Sequence, residues 1–356
     1  MKKRWLALLF LAALSLLGPA GCGSFMAHRM IQAPNTYPTW FAGEAPVLLS
    51  FQPNFMTNFP RQYVTVGTPP ARLCYRLIEP ADYGFTMATT NWTEHDFPRT
   101  EFDFRANLPA PTNAWTAHPR GTVVLLHGYA LAQFSMMPWA LRLAEDGWRC
   151  VLVDLRGHGK STGRKIYYGL EEVNDLSQLL DHLAQTNELA EPVAAVGESY
   201  GAALALRWKP VEPRVQLVVA IAPYASLSNS VMNLRASYAD WVPRAFIRSG
   251  LRHLPAALDT TAAELDTTAP LSRSPVKALF ITADNDDIAP TNEVAALRAL
   301  AAPGSPLIVV TNCTHEIVTY RFGELADPIL QWLAEGDQKR VAISATNPAA
   351  VHASAE

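Results

Sequence analysis

Val193-Ala194-Ala195-Val196-Gly197-Glu198-Ser199-Tyr200-Gly201 decides how the rest of this chain is read. Four apolar residues make a short buried strand, and the proline-free apolar segment from Ala202 to Lys209 makes a helix directly after it. Gly197 and Gly201 stand two positions either side of Ser199, so the chain can turn sharply from strand to helix and present the serine hydroxyl. An ordinary helix-capping serine in a glycine-rich turn is the competing reading. Placement at a strand-to-helix junction favours the reactive turn.

Around this turn, apolar runs of four to seven residues alternate with amphipathic stretches from Gly121 onward, the signature of parallel strands buried under helices. The strands are expected at Thr122 to Leu126, Cys150 to Leu155, Val193 to Val196, Val215 to Ile221 and Val276 to Ile281, with a sixth at Leu307 to Val310. Leu170, Val173, Leu176, Leu180 and Leu183 recur at helical spacing, as do Val294, Leu297 and Leu300 after Pro290. Residues 224 to 272 interrupt the alternation with short helical pieces carrying Trp241 and Phe246, which suggests a small lid. Upstream, Gln62 to Val66 and Arg72 to Ile78 read as a hairpin, and 79 to 119 is polar and irregular. The globular domain therefore spans 61–335. Pro34, Pro38, Pro46, Pro53 and Pro60 argue for an extended arm over 22–60, and 336–356, without periodicity, reads as a disordered tail.

A serine hydroxyl is a poor nucleophile until a base takes its proton. His315 follows the last expected strand after the short turn Thr311 to Thr314, and is the candidate base. The other histidines of the arm, the irregular insertion, the amphipathic helix and the tail are set aside by position. An imidazole held in one tautomer needs a carboxylate, and Asp284, Asp286 and Asp287 all follow the strand Val276 to Ile281. Asp286, four residues before Pro290, is the choice, and the other two read as a solvated loop capping the next helix. Backbone N–H groups of Tyr200 and Tyr129 are the candidate oxyanion donors, with His127 a structural residue behind its loop. His158, in Asp154-Leu155-Arg156-Gly157-His158-Gly159-Lys160-Ser161, reads as structural too. That segment is no P-loop, because Leu155 stands where the second glycine is required.

The N-terminus carries a different signal. Lys2, Lys3 and Arg4 precede the apolar run Trp5 to Leu17, then Gly18-Pro19-Ala20-Gly21-Cys22. A run this short does not reach the roughly 20 residues a bilayer span needs, so residues 1–21 read as a cleaved leader. Ala20-Gly21-Cys22 resembles the bacterial lipobox, although Pro19 stands where leucine is usual. Cys22 is therefore the candidate lipidation site and membrane anchor in a bacterial cell envelope, facing the periplasm or the exterior. A soluble secreted protein is the alternative. Cys74, Cys150 and Cys313 remain, an odd number with no CxxC spacing, which argues against a disulfide framework and a zinc site. With a formal net charge of -3 over 356 residues and no basic cluster past the first four, nucleic acid is not an expected partner.

With these residues in place, the chain from about 62 to 335 resembles the α/β-hydrolase superfamily, in the branch holding monoacylglycerol lipases, serine aminopeptidases and related esterases. The matching motifs are His127-Gly128-Tyr129, Asp154 to Ser161, Gly197 to Gly201, Asp286 with Pro290, and His315. The resemblance implies an α/β-hydrolase fold: a mostly parallel eight-stranded sheet flanked by helices, with a helical lid after the sixth strand. It also implies an acyl-enzyme cleaved by water. Ala283, where glycine is usual, and Asn312-Cys313 before His315 depart from the pattern. The expected function is hydrolysis of a small or medium carboxylic ester without metal or organic cofactor. Aminopeptidase or amidase activity would use the same residues, and a non-catalytic envelope binding protein of the same fold is the alternative from another class.

Overall fold

The computed structural model describes residues 19–36, 46–94, 97–108 and 118–346. Thr122–Leu126 (β6) reads TVVLL and is buried along its whole length. Val124 and Leu126 face one core, Val123 and Leu125 the other. A strand covered on both faces loses the polar alternation of a half-exposed one, which is why it reads as a continuous apolar run. The same cause shapes β7 (Arg149–Asp154) after its half-buried first residue, β8 (Val193–Glu198) and, past the exposed Gln216, β9 (Val215–Ile221). With β10 (Leu279–Ala283), β11 (Leu307–Val310) and the hairpin of β2 (Gln62–Val66) and β3 (Ala71–Ile78), they form one eight-stranded sheet. Its order is β2-β3-β7-β6-β8-β9-β10-β11, parallel except at β2 and β3.

Helices cover both faces. α3 (Glu172–Gln185), α4 (Tyr200–Trp208) and α9 (Thr291–Leu300) pack into one core, α2 (Met137–Glu145) and the start of α10 (Phe322–Thr346) into the other. After β6 the chain crosses to β7 through α2, whereas after β8 it crosses to β9 through α4 on the opposite face. The connections leaving the C-terminal ends of β6 and β8 thus diverge to opposite faces, the kind of switch point at which ligands of open α/β sheets collect. Between β9 and β10 lie four helices: α5 (Leu227–Tyr238), α6 (Arg244–Ala257), α7 (Ala262–Leu265) and α8 (Thr268–Arg273).

Three expectations are corrected. The stretch 79–119 is not irregular throughout: β4 (Thr86–Glu94) and β5 (Phe97–Arg105) form a hairpin, and β1 (Val47–Phe51) pairs parallel with β5 to make a second, three-stranded sheet. Phe102 and Phe104 of β5 are buried against Tyr320, while most of β4 is exposed, so its polar face hid the strand period. Within the arm expected to be extended, residues up to Ile31 belong to a helix, α1 (Pro19–Ile31), which ends before Pro34, the first proline. It packs along α6 and buries Ala27, Met30 and Ile31. At the other end, α10 runs on through Thr346 because Gly336 is followed by good helix formers, so 336–346 are not a tail without structure. Residues 347–356 and the leader up to residue 18 lie outside the described residues. Cys74 and Cys150 do sit on the neighbouring strands β3 and β7. Their register pairs Cys74 with Asp154 and Cys150 with Ile78, four residues apart, and both thiols are buried and free.

Candidate active site

The turn between β8 and α4 is strained at Ser199, whose φ of 50° and ψ of -111° put a non-glycine residue in the left-handed half of the map. Such a conformation costs on the order of 1–3 kcal/mol and persists only where the surroundings hold it. Here Ser199 N–H donates to Ile221 O at 2.8 Å, and Ala203 N–H donates to Ser199 O at 3.0 Å, so β9 and the first turn of α4 fix both sides. Glycine is required at the flanks: a Cβ on Gly201 would stand 2.1 Å from Leu126 O, and one on Gly197 would stand 2.3 Å from the Gly201 carbonyl. Gly201 thereby lets α4 lie against the end of β6. Tyr200 is the first residue of α4, and a helix N-terminus carries partial positive charge and unused N–H groups.

The strand ends on the far side of the elbow supply the other two groups. His315 Nε2 lies 2.9 Å from Ser199 Oγ, and His315 Nδ1 lies 2.8 Å from Asp286 Oδ2. Asp286 is fully enclosed, and its Oδ1 accepts the N–H groups of Ile288 at 2.9 Å and Ala289 at 2.6 Å. With Oδ1 so occupied, Oδ2 is left for the histidine, and Nδ1 carries the proton. Burial pulls the His315 pKa down, but the hydrogen bond and charge of Asp286 outweigh it and hold the imidazole above its ordinary value. The structure thus brings together Ser199, Asp286 and His315, and Asp287 stays exposed.

Two carboxylates do more than the sequence reading gave them. Asp284, read as part of a solvated loop capping the next helix, accepts Asn312 N–H at 3.0 Å and Cys313 N–H at 3.1 Å. It holds the turn that delivers His315, and those backbone donors lower its pKa. Glu198, inside the motif but given no role, is nearly buried and its Oε1 accepts from Gly128 N–H at 3.2 Å and from Ser135 Oγ–H at 2.7 Å. A charged residue closing the otherwise apolar strand Val193–Glu198 was the available signal for Glu198; Asp284 stands in an acidic loop and had none. Tyr129 follows Gly128 in the loop so anchored, with its ring 6.4 Å from that of Tyr200. The turn after His315 is tied to the same region: Tyr320 Oη–H donates to Ser135 O at 3.3 Å, Trp139 Nε1–H donates to Thr319 O at 2.8 Å, and the Phe102 ring of the small sheet lies 5.0 Å from Tyr320. At the mouth, Tyr238 at the end of α5 donates its hydroxyl to Glu316 beside His315. Phe246 is packed into the core and Trp241 against it.

His127 and His158 are structural, as the sequence suggested. His127 accepts Leu155 N–H at 3.0 Å on Nε2, and its Nδ1–H donates to Gly128 O at 2.8 Å. Burial pushes the pKa of His127 down to about 4 and that of His158 to about 3. An unfolded chain takes up protons at both sites near the ordinary value of about 6.5, whereas the folded chain does not. Stability therefore falls as the pH drops from about 6.5 towards 4. The loss should reach about 2 kcal/mol per histidine by pH 5 at 1.36 kcal/mol per unit, with the raised His315 opposing it in part. Thermal melts from pH 7.5 to 5 read this, and a melting temperature unchanged over that range contradicts it.

Among the described residues, no cluster of three or more His, Cys, Asp or Glu side chains could hold a metal ion, and no helix is long and apolar enough to cross a membrane. Comparison with known proteins places this geometry in context. Residues 117–269 match the family model described as serine aminopeptidase, S33; the match includes Tyr129, Ser199 and Tyr200 and stops before Asp286 and His315. The uncharacterized protein YqkD of Bacillus subtilis is 22% identical over 251 residues, 67% of this chain and 72% of that protein. The esterase Pf2001 of Pyrococcus furiosus superposes with a TM-score of 0.56 at 18% identity, covering 82% of this chain and 99% of its own. A putative dipeptidyl aminopeptidase IV from Bacteroides ovatus superposes with a TM-score of 0.52 at 15% identity, covering 78% of this chain and 36% of its own.

Proposed function

We propose that this chain, whose eight-stranded sheet and strained serine turn have the α/β-hydrolase arrangement, is a serine hydrolase that cleaves a carboxylic ester through an acyl-enzyme. The observation that carries this is the continuous hydrogen-bonded chain Ser199 Oγ, His315 Nε2, His315 Nδ1, Asp286 Oδ2, with contacts of 2.9 and 2.8 Å. His315 takes the serine proton as Oγ attacks the carbonyl carbon, and the imidazolium formed is stabilised by Asp286. The oxygen that becomes negative is received by the N–H groups of Tyr200, at the head of α4, and Tyr129, in the loop after β6. His315 then returns its proton to the departing alcohol oxygen. In the second half a water attacks the acyl carbon as His315 takes its proton, and His315 passes that proton to Ser199 Oγ as the bond to the acyl carbon breaks, which releases the acid and restores the hydroxyl.

The ester preference is supported by the esterase among the structural neighbours; the serine aminopeptidase description of the matching family model favours a second reading, cleavage of an aminoacyl amide. A panel of p-nitrophenyl esters of two to twelve carbons and aminoacyl p-nitroanilides separates them. Ester turnover exceeding amide turnover by a hundredfold or more is expected, and the reverse order would reassign the substrate class.

The leader and Cys22 complete the proposal: export, cleavage before Cys22 and lipid anchoring in a bacterial envelope. Cleavage there leaves the buried Ala27, Met30 and Ile31 of α1 in place against α6. Alkyne–fatty-acid labelling in a bacterial host should mark the chain and fail on Cys22→Ser; equal labelling of that variant removes Cys22 as the anchor.

A further inference from the structure

Glu198 sits beside the proposed nucleophile yet neither attacks nor relays a proton in the mechanism above. Its position is unusual on physical grounds. A carboxylate is strongly hydrated and its burial costs several kcal/mol unless donors replace the water. This one is 6% exposed, and the polar groups it meets are the Gly128 amide, at the start of the loop after β6, and the Ser135 hydroxyl, at the entry to α2. Both belong to the segment that carries Tyr129. The carboxylate therefore spans two elements that diverge from the sheet, the β8 turn holding Ser199 and the β6 loop. Ser135 passes the link on, because its carbonyl accepts the Tyr320 hydroxyl from the turn following His315.

We infer that Glu198 is a positioning residue: it fixes the β6 loop against the nucleophile turn so that the Tyr129 and Tyr200 amides converge on one point, and its charge supports the imidazolium of His315. The inference rests on the serine-hydrolase reading. Two effects of opposite sign are built into such a carboxylate. Its charge stands near the oxyanion, which disfavours the tetrahedral intermediate, and near His315, which favours the imidazolium formed in the same step. Convergence of two donors is the larger consideration, since loss of one oxyanion donor costs about 10²–10³ in kcat. The charged and titratable groups facing His315 are Asp286 from the loop after β10, Glu316 from its own loop, Glu198 from the elbow, and Tyr238 from α5 through Glu316. Of these, Asp286 is bonded to the ring, and Glu198 is the one that also touches the β6 loop.

Three variants divide the two roles. Glu198→Gln keeps an oxygen that accepts from Gly128 and Ser135 and loses the charge. Its kcat should stay within about tenfold of wild type, while the acid limb of its pH–kcat/KM profile moves to lower pH. Glu198→Ala loses the clamp, and its kcat should fall by about 10²-fold or more with KM changed less than threefold, as expected for an interaction needed in the transition state. Ser135→Ala removes one of the two donors, so it should lower kcat in the same direction by a smaller factor; together with Glu198→Gln it keeps the test sound if Glu198→Ala does not fold. Wild-type turnover with a fluorophosphonate-reactive Ser199, but unchanged kcat in folded Glu198→Ala and Ser135→Ala or an unmoved acid limb in Glu198→Gln, overturns the inference and leaves the hydrolase reading standing. A wild-type protein inert to both ester and probe overturns both.

Discussion

Replacing Ser199 by alanine is expected to lower kcat/KM for the best ester of the panel by about 10⁶-fold, the scale on which removal of a triad nucleophile acts. The fold should survive, because the Ser199 hydroxyl is bonded to His315 alone among the described residues. The backbone bonds to Ile221 and from Ala203 that hold the strained turn do not involve it. Residual turnover should be the small acceleration that oxyanion donors and binding give without a nucleophile. A variant retaining more than about 1% of wild-type activity, with an unchanged circular dichroism spectrum, would show that Ser199 does not form the covalent intermediate.

Asp286→Asn should reduce kcat by about 10⁴-fold with little change in KM. The reason lies in how the carboxylate is held. Oδ1 accepts two backbone N–H groups, from Ile288 and Ala289, so an asparagine must keep its carbonyl oxygen there and turn its NH₂ towards His315 Nδ1. A donor facing Nδ1 forces the ring proton onto Nε2, the nitrogen that has to receive the serine proton. The imidazole is then present, correctly placed and in the wrong tautomer. Asp287→Asn, at an exposed position, should change kcat less than twofold. Equal losses at 286 and 287 would contradict this account of which aspartate orients the histidine.

The parts of the molecule that were legible in the sequence share a cause. β6 lies where the run Thr122 to Leu126 puts it, since a strand buried along its whole length leaves no exposed residue to blur its ends, and β9 matches Val215 to Ile221 because five of its seven residues are buried although Gln216 is exposed. The acid strand was set three residues early, at Val276 to Ile281 against Leu279–Ala283, because the apolar Val276 and Ala278 pack into the core before pairing begins. Where elements are half-exposed the pattern fades. β4 carries Thr89, Thr90, Asn91 and Thr93 on an open surface, and only Phe102 and Phe104 of its partner betray the hairpin. α1 was hidden for another reason: Pro34 to Pro60 dominated the reading of the arm, and the thirteen residues before them have no partner until α6 folds beside them.

Within the site, Ser199 and His315 were readable because each is bound to a strand end in a fixed order along the chain. Asp286 required a choice among three neighbours, which its burial and its contact with His315 Nδ1 separate from Asp284 and Asp287. The parts played by Asp284 and Glu198 depend on contacts across 28 and 70 residues of sequence, to Asn312 and Gly128. No local pattern encodes partners so distant, and only Glu198, a charge at the end of an otherwise apolar strand, was marked out by its surroundings.

Activation of the Ser199 hydroxyl by His315 is tested most directly by covalent trapping. Wild-type protein and Ser199→Ala are incubated with a fluorophosphonate, then digested and mapped by mass spectrometry. One phosphonyl adduct per chain on the peptide holding Ser199, absent from the alanine variant, is the predicted result. A folded wild-type protein that takes up no probe, or an alanine variant labelled to the same extent, would contradict it.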